Sequence, residues 1–215
     1  LRAVPPASPA APYARYNLGV ALLRGGDGDA GRALLDELGR APAANEELRA
    51  LRDKANVALG FAALKDERPA PARAALERVR LAGPQSAKAL LGFGWAAAAQ
   101  QDPKAALVPW TELAGRDAAD AAVLEARIAL PYAYAELGAY GQALARYQDA
   151  IGAYEREQRA LDESIAAVRA GTLVDALAAK NPGSEMGWFW QLRELPGLPH
   201  AGHLAIAAFQ QRHPG

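Results

Sequence analysis

Between Leu144 and Val168 the chain repeats at alternating steps of three and four: Leu144, Tyr147, Ile151, Tyr154, Gln158, Leu161, Ile165, Val168. That period sets them on one helical face, as in the seam of a coiled coil or a long helical hairpin. No stop signal interrupts the run. The pattern therefore predicts a helix from about Gly141 to Ala170, roughly 45 Å long at 1.5 Å per residue. Gly171 allows a break. Thr172 with Asp175 then reads as a capping box opening a short helix, which Asn181-Pro182-Gly183 ends. Upstream, Val123, Leu124, Ile128, Leu130 and Tyr134 also keep a helical period around Pro131, where a kink is expected. Asn45 before Glu46 and Glu47 reads as a cap followed by an acidic first turn. Few stretches alternate in twos, so the chain reads as all-α.

A second, longer period concerns small residues. Counting from Asp53, Leu59, Gly60, Ala72, Leu76 and Pro84 occupy the seventh, eighth, twentieth, twenty-fourth and thirty-second places of a 34-residue unit. Counting from Ala87, Gly94, Ala106 and Trp110 occupy the eighth, twentieth and twenty-fourth. The stretch from Pro12 carries Asn17-Leu18-Gly19 and Gly26-Asp27. The stretch from Leu124 carries Leu137-Gly138-Ala139-Tyr140, Ala143, Tyr147 and Ala150. Small residues at a helix crossing let two backbones approach, and larger residues further along fill the gap. Pro84 cannot donate a helical hydrogen bond and marks a turn.

On these residues the chain resembles the tetratricopeptide-repeat family over about Pro12 to Ile151. The resemblance implies an all-α fold: an α-solenoid of helix–turn–helix repeats with a long C-terminal helix. The expected organisation is a Pro/Ala-rich linker over 1–11, then repeats over 12–44, 45–86, 87–118 and 119–151. An extension of the last helix plus a short helix covers 152–183, and an aromatic tail over 184–215 caps the array.

Such repeats are scaffolds, and their ligand usually lies in a concave groove lined by the first helix of each pair. Carried over by position, the groove residues are Tyr16, Val20 and Leu23; Lys54, Val57, Phe61 and Leu64; Lys88, Leu91 and Trp95; and Ile128 and Tyr132. Most are apolar and several are aromatic, which suits capture of an extended or helical peptide. A branch of the family grips chaperone tails with a Lys/Asn/Arg clamp. Here the matching places hold Tyr16, Val20, Ala58, Lys88 and Gly92, so that clamp is absent. The seam residues Ile151, Tyr154, Leu161, Ile165 and Val168 need cover, either from this chain's own Leu173, Val174, Leu177 and aromatic tail or from a second chain. Trp188, Leu192 and Leu195 share a helical spacing and fit a cap, a partner anchor or a membrane-interface contact.

Composition narrows the functions. A quarter of the residues are alanine, which favours helix. Lys plus Arg equals Asp plus Glu at 24 each, which argues against a nucleic-acid surface. Cysteine is absent, which excludes disulfides and thiolate chemistry. No apolar run is long enough to span a bilayer. His200 and His203 have a metal-ligand spacing, but no third ligand accompanies them and their segment is a poor helix, so no metal or cofactor is expected. No phosphate loop or nucleophile elbow is present, and no enzyme is expected.

The first residue is Leu, and residues 4–12 are rich in Pro and Ala. This suits a tether to an anchor or domain upstream and equally a frayed terminus; the tether would favour a periplasmic or membrane-tethered setting ahead of the cytoplasm. The Ala, Arg and Gly usage looks like a GC-rich bacterium. The reading is an adaptor that binds a protein or peptide partner. The alternatives are a subunit that self-associates, as a homodimer or larger assembly, through the 144–168 seam, and a regulatory domain of a larger protein.

Overall fold

The computed structural model describes residues 4–5 and 8–171. Within them lie eight helices and no strand: α1 (Ala11–Arg24), α2 (Gly28–Arg40), α3 (Glu46–Lys65), α4 (Pro69–Leu76), α5 (Ser86–Ala99), α6 (Pro103–Ala114), α7 (Ala121–Glu136) and α8 (Tyr140–Arg169). The capping box at Thr172, the Leu173, Val174 and Leu177 cover, the tail with Trp188, Leu192 and Leu195, and both His200 and His203 lie outside the described residues.

Helix starts follow local chemistry. The Asn45 side chain accepts from Leu48 N–H at 2.8 Å, and Asp102 does the same for Ala105 at 3.0 Å. Asp120 takes Ala122 N–H at 2.9 Å. These oxygens satisfy donors that have no partner inside the helix. Pro69 and Pro103 sit at first positions, where proline loses nothing.

The link into each even-numbered helix has one shape. Two residues before α2, α4, α6 and α8 stand Gly26, Glu67, Gln101 and Gly138, all with left-handed φ of 94°, 56°, 60° and 73°. After three of them the next N–H reaches back five residues, Arg68 to Ala63, Asp102 to Ala97 and Ala139 to Tyr134. That bond satisfies an orphan carbonyl at the end of the preceding helix.

Each helix packs on its neighbours in the chain, and α1, α3, α5 and α7 also pack in succession on one another. The odd-numbered helices thus form a layer with the even-numbered ones beside it. Inside each of the first three pairs, a glycine of the odd helix faces a large residue of the even one. A Cβ at Gly19 would strike Leu35, one at Gly60 would strike Leu76, and one at Gly94 would strike Trp110. Ala72 and Ala106 are fully buried on the even helices. The largest core cluster gathers Leu91, Trp110, Leu113, Val123, Ala126 and Leu130 from α5, α6 and α7.

Pro131 lies inside α7, fully buried, and α7 continues across it as one helix to Glu136. Pro109 sits likewise inside α6. The long helix occupies 140–169, one residue from its expected bounds at each end.

Candidate functional site

Two surfaces stand out: the outer face of the odd-numbered layer, and the free face of α8. On the first, the anticipated groove residues divide. Tyr16, Val20 and Leu23 are partly buried and pack on the cluster of Leu35, Leu38, Leu51, Ala55 and Leu59. Burial lifts the Tyr16 hydroxyl above its usual pKa, with Arg24 pulling the other way. Leu64 packs on Ala63, Ala72 and Ala96. Lys54 is half-buried and Lys88 exposed.

Val57 and Leu91 are corrections. Val57 is buried with Leu76, Val79 and Ala89, and Leu91 belongs to the Trp110 cluster. Both point at the neighbouring helix, because successive odd helices pack side by side and cover the residues between them. Phe61 is intermediate: it packs on the Val57 cluster, and its ring edge lies against Gly92.

The face opens at α5 and α7. Ile128 and Tyr132 are exposed by 47% and 39%. Trp95 meets Trp110 edge-on with ring centroids 4.9 Å apart and an interplanar angle of 70°. It lies 6.3 Å from the Tyr132 ring, tilted at 37°. Its indole N–H donates to Glu125 Oε1 at 3.0 Å. Burial and then the Glu125 charge raise the Tyr154 pKa.

On α8, the buried residues are small: Ala143, Ala150, Ala153 and Ser164. The seam is not. Leu144, Tyr147, Ile151, Tyr154, Leu161, Ile165 and Val168 are all exposed, between 38% and 61%. Helix α8 has 30 residues against 16 in α7, so about half of it runs past its neighbour.

A polar network had no signal in the local sequence. Buried Asn56 donates to Gly39 O at 3.0 Å, and Arg78 bonds both Asn56 Oδ1 and Asp36 at 2.8 and 2.9 Å. Fully buried Asp53 accepts from Arg80 at 2.8 Å, and Arg80 also holds Glu46. These bonds tie α2, α3 and the segment after α4 together, which makes them structural. Among the described residues no three His, Asp or Glu gather as metal ligands would, and no helix is long and apolar enough to cross a membrane.

Comparison with protein families, curated proteins and solved structures finds no match to this chain.

Proposed function

We propose that this chain is a non-catalytic scaffold of the tetratricopeptide type, an α-solenoid whose odd-numbered helices hold a protein or peptide partner. The recurring turn at Gly26, Glu67, Gln101 and Gly138 supports the repeat reading, as do the pairs Gly19–Leu35, Gly60–Leu76 and Gly94–Trp110. One observation carries the binding site: Tyr132 and Ile128 stand exposed beside Trp95, which a buried tryptophan holds in place. Rigid aromatic anchors of this kind dominate peptide capture.

The test uses the purified chain as bait. Tyr132→Ala and Ile128→Ala should keep the melting point and weaken partner binding by about 1 kcal/mol or more each. Unchanged binding by both variants would remove this face as the site.

A second reading, a subunit that self-associates through α8, is favoured by the exposed seam. Seven large apolar or aromatic side chains there stand 38–61% exposed, surface that association of two copies would remove from water. A solution mass above that of the monomer would support it.

A further inference from the structure

On the reading that the odd-numbered layer binds a peptide, we propose that Glu125, hydrogen-bonded to Trp95 beside the Tyr132 ring, is a subsite for a basic side chain. Arginine fits it best, set beside an apolar residue of the same peptide.

Glu125 is exposed. Among the described residues it forms no ion pair, unlike the carboxylates of Asp36, Glu46 and Asp53, and it shares that with several other surface carboxylates. Its one hydrogen bond is the indole N–H of Trp95 on Oε1. A neutral donor fixes the carboxylate without cancelling its charge, and Oε2 has no partner among the described residues. The carboxylate is therefore held in place with a lone-pair face to offer.

The surroundings suit a cation that is also flat. The Trp95 and Tyr132 rings lie 6.3 Å apart and tilted, with Glu125 hydrogen-bonded to the first of them. An ammonium or guanidinium over an aromatic face is attracted by the ring quadrupole. A guanidinium can also stack on the ring while donating two hydrogen bonds to a carboxylate, which an ammonium does not.

The platform is built before any ligand arrives. Trp110 is fully buried and donates to the Leu91 carbonyl at 3.1 Å, and its edge contact holds Trp95. Preorganised groups lose little entropy on binding. Ile128 follows Glu125 by three residues on the same helix face and is exposed, so an apolar neighbour of the basic residue has a surface to meet.

The probes are three capped tripeptides, acetyl-Leu-Arg-Leu-amide and its citrulline and glutamate counterparts, followed by NMR on the full chain. The reporter is the Trp95 indole N–H, assigned by its loss in Trp95→Phe. The arginine peptide should shift it at millimolar concentration, binding roughly tenfold tighter than the citrulline peptide. Glu125→Gln keeps an oxygen for the indole N–H and should erase that preference without altering the melting point. Tyr132→Leu should reduce it severalfold. Arginine and citrulline peptides binding equally to the unaltered chain would overturn the subsite and leave the peptide groove standing. So would shifts confined to Tyr16 and Phe61. Tighter binding of the glutamate peptide would overturn it as well. If no tripeptide shifts any of these three residues, both the subsite and the groove reading fall.

Discussion

The indole N–H of Trp110 donates to the carbonyl of Leu91 at 3.1 Å, crossing α5 at the one point where Gly94 carries no side chain. The bond and the glycine are one device. A Cβ at residue 94 would sit on the indole ring, and the ring cannot move without leaving its hydrogen bond and its contact with Trp95.

Gly94→Ala should therefore cost more than the same change at Gly60, where the obstacle is a Leu76 side chain that can rotate. Overpacking of this kind typically costs about 1–3 kcal/mol, less the ~0.5–1 kcal/mol that alanine gains over glycine in a helix. Gly141→Ala, on open space in the first turn of α8, should be neutral or stabilising. Thermal melts of the three variants should rank Gly94→Ala below Gly60→Ala below Gly141→Ala.

Glu67 and Gln101 hold the left-handed turn without the freedom of glycine. A side chain there costs roughly 1–2 kcal/mol relative to an ordinary backbone region. Glu67→Gly and Gln101→Gly should each raise stability by about 0.5–1 kcal/mol. Gly138→Ala, at the matching place before α8, should lower it. Denaturant midpoints with unchanged slopes would check all three.

The Asp53–Arg80 pair should matter far more than Glu46–Arg80. Asp53 is fully buried, and its removal leaves Nε of a three-quarters covered guanidinium without its acceptor, with only the exposed Glu46 still holding Arg80. Asp53→Ala should cost roughly 2–4 kcal/mol. Glu46→Ala, at the exposed end of the same arginine, should change the melting point little.

Acid should loosen the α2–α3–α4 junction in a defined range. Hydrogen bonds from Arg80 and Arg49 hold the Glu46 pKa below its usual value. At Asp36, burial pushes upward, but Arg40 and Arg78 together outweigh it and the pKa falls. A carboxylate depressed in the folded state stabilises it fully above the unfolded pKa, near 4. That stability is lost as pH falls through the lower, folded value. The melting point should be flat between about pH 7 and pH 5 and decline below about pH 4. Asp36→Asn should start lower and decline less steeply.

The double change Leu161→Glu with Ile165→Glu reads the α8 seam. Both side chains are exposed, so the monomer should keep its helicity and melting point. Any self-association seen by light scattering should vanish. A lower melting point in a protein that stays monomeric would make the seam part of the fold.

The helices were legible because their signals are local. Asn45 is a capping residue in the chain as well as in the fold, and the three–four spacing of 144–168 needs only one helix to be recognised. The left-handed turns were half-legible: Gly26 and Gly138 announce themselves, while Glu67 and Gln101 adopt the same φ with nothing in their chemistry to say so. Val57 and Leu91 were placed on an open groove because position in a repeat fixes which side of its helix a residue faces, not how closely the next helix approaches. Asn56, Arg78 and Asp36 gave no sign, since their partners lie 17 to 42 residues away in sequence. Glu125 was missed as well: its neighbour Trp95 is 30 residues upstream.

Among the described residues, no helix packs substantially on a helix more than two places away along the chain. Such a molecule closes only short loops as it folds, so it should fold fast for its size. It also has no single keystone. The α5–α6–α7 region around Trp110 has neighbours on both sides, while among the described helices α1 packs chiefly on α2 and α3. Amide hydrogens should accordingly exchange earlier in α1 than around Trp110, a difference in opening free energy between the start and the middle of the array.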